Sequence, residues 1–183
     1  RINSIYFDTN DLSCFYESVE GVTPRRKLRM RWYGDSMTNA KVEIKTTGCL
    51  SREKFVRPLS DIEKTWLLKK AGMTKFYGPH TFPEMPLLLF PMVKVSYVRD
   101  YFVDKKTDQR CTMDSQIVFE NLALASHART AACNHSSERA FEGVIEWKAP
   151  AHHNAADCWT IFSAPFERHS KYCHAIELLT TSI

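Results

Sequence analysis

Paired cations at two-residue spacing are the first pattern in this sequence that could do chemistry. Residues 24–35 read PRRKLRMRWYGD, with Arg29 and Arg31 two positions apart. On a β-strand, residues at that spacing point to the same face of the sheet. If that face is solvated, the pair is ordinary surface charge. If it points inward, it holds guanidinium groups together and requires an anionic partner.

Charged residues share a face in the same way on several other predicted strands. The alternating sets are Glu43 with Lys45, Arg52 with Lys54, Arg99 with Tyr97 and Tyr101, Arg110 with Thr112 and Asp114, and Glu146 with Lys148. A sheet with one solvated side also alternates, but such a face usually mixes in Ser, Thr and Gln, whereas Arg and Lys dominate here. A closed barrel with these faces inward would attract phosphate chains, because Arg forks match phosphate oxygens and Lys adds point charge. The carboxylates would then neutralise cations or hold a divalent metal that bridges phosphate oxygens.

Alternation and helical spacing predict the elements that position these residues. Strands are predicted at residues 2–9, 26–34, 40–47, 51–59, 91–104, 109–121 and 141–150. Ser60 and Glu63 form a capping-box pattern that predicts a helix to Gly72, and further helices are expected after Thr9 and near the end of the chain. Residues 121–140 are small and polar and are interpreted as a loop. Six or seven strands with short connections favour antiparallel pairing, in a sheet that packs against helices or closes on itself.

Composition limits the classes of protein that the chain can belong to. Its 183 residues, 44% hydrophobic and 25% charged, predict one soluble globular domain with a net charge of +4. The longest apolar run, near Pro86–Phe90, is far shorter than a membrane span. The six cysteines have no paired spacing and are expected to be reduced structural thiols, and the histidine pair at 152–153 is interpreted as solvated, not as a metal site.

Seven motifs in order resemble the VTC domain, the polyphosphate polymerase domain of the vacuolar transporter chaperone complex and its bacterial relatives. They are NSIYFDTND, RRKLRMRWYG, VEIK, VSYVRDYF, RCTMD, VIEWK and RHSKY, and they span Asn3 to about Ile176. The resemblance places the chain among the CYTH-like triphosphate tunnel metalloenzymes. It implies a single α+β domain over residues 1–183, an antiparallel β-barrel tunnel of about eight strands with a few flanking helices. The family's first strand, of the RYERK type, and the helix after it have no counterpart here, so an N-terminal strand is expected to be missing.

The resemblance also implies an activity and residue roles. Such domains transfer the γ-phosphate of ATP to a growing polyphosphate chain with Mn²⁺ or Mg²⁺. By motif, the residues expected to grip phosphates are Arg29, Arg31, Lys45, Arg99 and Arg110, with Lys171 closing over the chain. Arg52, Lys54 and Lys148 are further candidates with less motif support. Glu146 is the expected metal ligand, and Glu43 is expected either to assist the metal or to pair with Lys45.

Two other functions use the same basic walls. One is a tunnel-type hydrolase of triphosphate or nucleoside triphosphates, and the other is a non-catalytic module that binds polyphosphate or another polyanion. Nucleic-acid recognition is disfavoured because the aromatic residues alternate with core positions and no recognition helix is evident. A nucleotide donor and unpaired cysteines favour a cytoplasmic location or the cytoplasmic face of a membrane. Regulation or translocation would depend on associated membrane or regulatory subunits.

Overall fold

The computed structural model of the chain describes residues 1–63, 80–122, 137–139, 143–148 and 169–181. Its strands are β1 (Ile2–Asp8), β2 (Arg25–Tyr33), β3 (Lys41–Thr47), β4 (Arg52–Pro58), β5 (His80–Phe82), β6 (Met85–Val103), β7 (Arg110–Asn121), β8 (Ser137–Arg139) and β9 (Val144–Lys148). The helices are α1 (Ser13–Glu20) and α2 (Lys171–Thr181), with a 3₁₀ turn at Met37–Asn39.

The strands form an antiparallel sheet that curls across its width. Its order is β4-β3-β2-β1-β6-β7-β8, with β5 paired to β6 and β9 paired to β7. In a flat sheet, β3 and β9 would lie about 24 Å apart, five strand spacings. Burial lowers the pKa of Lys45 on β3, yet the Glu146 carboxylate on β9 counteracts part of that lowering. The sheet curls into a half-barrel, which brings its two sides toward each other and makes the face between them concave.

A β-bulge shapes this concave face. The register between β6 and β7 shifts between Ser96 and Val98, and Gln116 takes a left-handed conformation with φ of 50°. Bulges bend a strand and increase its twist. The extra residue on β7 also reverses the side-chain alternation, so that Phe119 and Asp114, five positions apart, lie on the same face.

Apolar residues fill both sides of the sheet. On one side Leu28, Met30 and Val42 pack with Phe82 of β5 and other members of a buried cluster. On the concave side, α2 covers part of β6 and β7. The buried residues of that contact are Val93, Val95, Tyr97, Ile117, Phe119, Tyr172, Ala175, Ile176 and Leu179. The helix thus closes one part of the concave face and leaves the charged part beside its first residue.

Asp8 fixes α2 to the first strand. Its fully buried carboxylate accepts hydrogen bonds from the backbone N–H groups of Cys14 and Phe15, at 2.8 and 2.9 Å, and from the Tyr172 hydroxyl. It therefore satisfies free donors at the start of α1, the role of an N-cap. Because the same group binds Tyr172, the two helices and the end of β1 are fixed together.

Most of the predicted elements are confirmed. The exceptions are β5 and β8, two short strands that raise the count above the six or seven expected, and β6, which begins at Met85 instead of residue 91. β8 lies in the segment interpreted as a loop. Three-residue strands carry too little alternation to be recognised. The chain is helical at residues 61–63, where Glu63 and Ser60 exchange the two capping-box hydrogen bonds, at 2.6 and 3.3 Å. The rest of that helix lies outside the described residues.

Other expectations meet the structure in part. The α+β class and the antiparallel, curled sheet are confirmed, whereas closure into a tunnel of eight strands stays a prediction. Cys14, Cys49, Cys111 and Cys173 are free thiols, as expected. No helix in the described ranges combines the length and apolar character needed to cross a membrane.

Candidate functional site

The concave face carries a row of lysines in direct register. Lys27 of β2 pairs with Lys45 of β3, and Lys45 pairs with Lys54 of β4. Side chains directly opposite on neighbouring antiparallel strands lie about 5 Å apart, and like charges there are destabilising. This lysine row (Lys27, Lys45 and Lys54) is therefore a place where the fold retains electrostatic repulsion.

Arg29 and Arg31 lie beside the lysine row on the same face, so the inward interpretation of the pair is the correct one. Arg29 donates to the Glu43 carboxylate at 2.7 Å and to the Tyr6 hydroxyl at 3.1 Å. Arg31 is 8% exposed and donates to the Ser4 hydroxyl at 3.1 Å and the Tyr97 hydroxyl at 3.2 Å. Hydroxyl partners orient a guanidinium without neutralising it, so Arg31 is less fully neutralised than Arg29, whose contact with Glu43 is shorter.

Glu43 neutralises the first group of cations. It pairs with Arg29 at 2.6 Å, Lys54 at 3.0 Å and Arg31 at 3.9 Å. Burial opposes its ionisation, but Arg29 and Arg31 outweigh burial and hold the pKa of Glu43 below its ordinary value. The expected pairing with Lys45 is wrong. Glu43 lies two positions before Lys45 on β3, and its carboxylate contacts Arg29 and Arg31 of β2 and Lys54 of β4 instead.

Asp114 neutralises a second group. It is fully buried and accepts two hydrogen bonds from Arg99, at 2.5 and 2.7 Å. It also forms an ion pair with the Lys171 ammonium at 2.5 Å. Burial opposes ionisation here too, but the hydrogen bonds from Arg99 and Lys171 lower the pKa of Asp114. The Arg99 guanidinium also lies over the rings of Tyr97 and Tyr101, with 5.3 and 5.9 Å to the centroids.

Lys45 differs from these cations because no acidic partner lies in contact with it in the part of the chain that the structure describes. Burial lowers its pKa, and the nearby positive charges of Arg52 and Arg29 lower it further. Each of these causes disfavours the protonated form. An anion placed here would reverse the effect, so a bound phosphate would favour the protonated form of Lys45.

The remaining predicted residues lie farther out. Arg110 and Lys148 pair with each other in register, and their side chains are 64% and 66% exposed. Arg110 contacts Asp108 at 3.5 Å, and the structure does not bring it to the arginines of β2. Arg52 is exposed at the start of β4, beside a shallow cavity of about 390 Å³ at the β3–β4 turn.

Several residues of this face were not predicted as site residues. They are Ser4, Tyr6, Lys27, Tyr97 and Asp114. Lys27 has the same parity as Arg29, and Asp114 the same parity as Arg110, so alternation contains a signal for both. Tyr6 and Ser4 have none, because only the β1–β2 register, which pairs them with Arg29 and Arg31, brings them to the site.

Glu146 and Glu43 differ in how well they fit a divalent metal. Glu146 is 47% exposed, 3.3 Å from Lys148 and 4.0 Å from Arg99. Glu43 is bound by three cations, so its oxygens are already used. Among the described residues no group of three or more His, Cys, Asp and Glu side chains forms a metal site. Mg²⁺ commonly needs only one or two carboxylates beside substrate phosphates, so Glu146 fits such an ion and Glu43 does not.

The fold and this face define an α+β protein built on a curled antiparallel sheet whose concave side is rich in cations. The chain belongs to the VTC domain family, since the model of the VTC domain matches residues 1–180. That family is associated with polyphosphate synthesis, which indicates a polyphosphate-related function. Among curated proteins, none matches the chain.

Proposed function

We propose that the chain is a polyphosphate polymerase domain, which transfers the γ-phosphate of ATP to a growing polyphosphate chain on the concave face. The observation that carries the proposal is the convergence of cations from β2, β3, β6 and α2 on one face, where carboxylates neutralise only some of them. A linear phosphate chain carries a charge on every unit and can meet several of these cations at once.

The chemistry asks little else of the protein. Phosphoryl transfer depends mainly on positioning and on neutralising the charge of the transferred group, without a covalent nucleophile. Arg31 and Arg99 are held by hydroxyl and carboxylate partners, which fixes their donors before the substrate arrives. Lys45 and Lys171 add charge from opposite sides of the face. Preorganised donors of this kind stabilise developing charge more than mobile ones do.

A divalent ion, Mn²⁺ or Mg²⁺, is part of the proposal. Glu146 would hold it, with phosphate oxygens of the substrate as further ligands, and the ion would neutralise charge on the transferred phosphoryl group. The partial exposure of Glu146 fits an ion that arrives together with the nucleotide.

Incubation of the protein with ATP and Mn²⁺ tests the proposal. We expect long phosphate chains on a gel stained for polyphosphate, and the loss of these chains in Glu146→Gln. Release of free phosphate without chains would instead identify a hydrolase. Binding of tripolyphosphate without turnover, unchanged in Glu146→Gln, would identify a binding module.

A matched pair of lysine variants controls for net charge. Lys45→Met removes a cation from the lysine row, whereas Lys94→Met removes one from the opposite face, where Lys94 pairs with Glu120 at 2.8 Å. We expect Lys45→Met to lower chain synthesis and Lys94→Met to leave it unchanged. Equal losses in both would mean that overall charge, not this face, attracts the phosphates.

A further inference from the structure

Three side chains form a row across β6, β7 and β9 at the outer part of the concave face. Tyr101 pairs with Thr112, and Thr112 pairs with Glu146, so all three point to the same side. The Tyr101 row (Tyr101, Thr112 and Glu146) lies next to Arg99, whose guanidinium is 5.9 Å from the centroid of the Tyr101 ring. It joins an aromatic surface to the carboxylate proposed to hold the metal.

Exposure increases outward along this face. The side chain of Arg99 is 14% exposed, that of Glu146 47% and that of Lys148 66%, and Tyr101 is 63% exposed. The Tyr101 ring is therefore open to a ligand, as a stacking surface must be. The inner cations match the charged phosphates, which leaves the outer position at Tyr101 for the neutral base.

Thr112 adds an independent sign that the row is incomplete. Its hydroxyl oxygen is buried and has no hydrogen-bond partner in the described part of the chain. Leaving such a group unsatisfied destabilises the folded protein. A ligand oxygen, or a water held beside Glu146 by a bound ion, would remove that cost.

We propose that the Tyr101 row is the nucleoside subsite: the base of the nucleotide stacks on Tyr101 while its triphosphate extends inward past Glu146 and Arg99. This inference rests on the proposed function and names the part of ATP that the outer face recognises. Because a ring surface stacks on any base, the subsite accepts nucleotides with little preference among the bases. It distinguishes a nucleotide from an inorganic phosphate chain, which reaches the same cations without touching Tyr101.

Titration calorimetry with two ligands tests the subsite. The ligands are the β,γ-imido analogue of ATP, which resists transfer, and inorganic tripolyphosphate, both with Mg²⁺ at one salt concentration. We expect Tyr101→Ala to weaken binding of the nucleotide about fivefold to tenfold and to change tripolyphosphate binding by less than about twofold. Tyr101→Phe keeps the ring and should retain the affinity of the unmodified protein.

Tyr33 provides the matched control. It is 60% exposed and shares the parity of Arg31 on β2, but its register partner is the apolar Ile2 and not a residue beside Glu146. Tyr33→Ala should leave both affinities unchanged. A nucleotide-selective loss in Tyr33→Ala instead of Tyr101→Ala, or equal losses for both ligands in Tyr101→Ala, would overturn the inference.

The two proposals fail in different ways. Suppose that the unmodified protein binds the ATP analogue and tripolyphosphate with the same affinity, and that Tyr101→Ala changes neither affinity. The nucleoside subsite is then wrong, and the phosphate-binding face stands. If neither ligand binds, the proposed function is wrong and the subsite is excluded with it.

Discussion

The concave face contains two kinds of cation, which differ in whether a carboxylate of the protein neutralises them. The arginines that anchor it are partnered: Glu43 accepts from Arg29, and Asp114 accepts from Arg99. Lys45 of the lysine row is not, since it lies between two other lysines in register and contacts no carboxylate among the described residues. Partnered cations are part of the framework, whereas the lysine row keeps a repulsion that a bound anion can relieve. Stability should therefore depend on the first set and affinity on the second.

Asp114→Asn should give the largest effect, on stability. It removes the negative charge between Arg99 and Lys171, which are 14% and 12% exposed, and leaves both cations poorly compensated. Breaking a buried pair in this way typically costs about 3–5 kcal/mol. Denaturant unfolding measures the loss. Glu120→Gln, which breaks the more exposed pair with Lys94, should cost less than about 1 kcal/mol, and a similar cost for both variants would show that Asp114 does not organise the site.

Glu43→Gln separates two roles for that carboxylate. Because Glu43 pairs with Arg29 and Arg31, its replacement should lower the free energy of unfolding by about 2 kcal/mol. The freed arginines should then bind tripolyphosphate more tightly in the absence of metal. A metal ligand would behave in the opposite way, with weaker metal-dependent binding and unchanged metal-free binding. Calorimetry with and without Mg²⁺ distinguishes the two.

The sequence predicts the faces of individual strands well, and for a physical reason. Alternation has a period of two, so Arg29 with Arg31 and Glu146 with Lys148 had to share a side once the strands formed. It also predicts that many such faces converge, because short connections favour neighbouring antiparallel strands. The VTC motifs then place the whole chain in the correct family.

What the sequence does not contain is the relation between strands. The lysine row exists only in the register of β2, β3 and β4, and no local pattern fixes that register. The bulge at Gln116 reverses the alternation of β7, so Asp114 joins the apolar face that carries Phe119. Asp8 belongs to the predicted strand at residues 2–9, yet its carboxylate accepts a hydrogen bond from Tyr172 of α2, more than 160 positions away. These contacts depend on distant segments, which is why sequence patterns miss them.

The loss of stability at low pH should depend on the carboxylates that pair with the arginines, Glu43 and Asp114. The pKa values of Glu43 and Asp114 are lowered in the folded protein, because their arginine partners outweigh burial. A carboxyl with a depressed folded pKa stabilises the fold above its unfolded pKa, and that contribution is lost as pH falls through the folded value. We expect stability to decline progressively below about pH 5. Asp114→Asn and Glu43→Gln should each flatten the decline, and curves parallel to that of the unmodified protein would contradict the assignment.

Lys45→Met tests the cation that has no carboxylate in contact with it among the described residues. Because burial and the charges of Arg52 and Arg29 disfavour protonated Lys45, its removal should leave stability unchanged or raise it by less than about 1 kcal/mol. Tripolyphosphate binding should weaken about tenfold, since charge-assisted hydrogen bonds contribute about 1.5–3 kcal/mol. In the unmodified protein, binding should take up protons at alkaline pH, because a bound anion raises the pKa of Lys45. Calorimetry in buffers of different ionisation enthalpy measures that uptake, and its persistence in Lys45→Met would assign it to another group.

Thr112→Val gives the smallest expected effect and the sharpest contrast between free and bound protein. Valine has nearly the shape of threonine, so it removes the unsatisfied hydroxyl without opening a cavity. Without ligand, we expect stability to stay the same or rise by up to about 1 kcal/mol, because a buried orphan group is lost. With ATP and Mg²⁺ present, the stabilisation that the ligand gives through binding the native state should shrink. If Thr112→Val lowers the stability of the free protein and leaves ligand stabilisation intact, the hydroxyl has an internal structural role and the Tyr101 row is complete without a ligand.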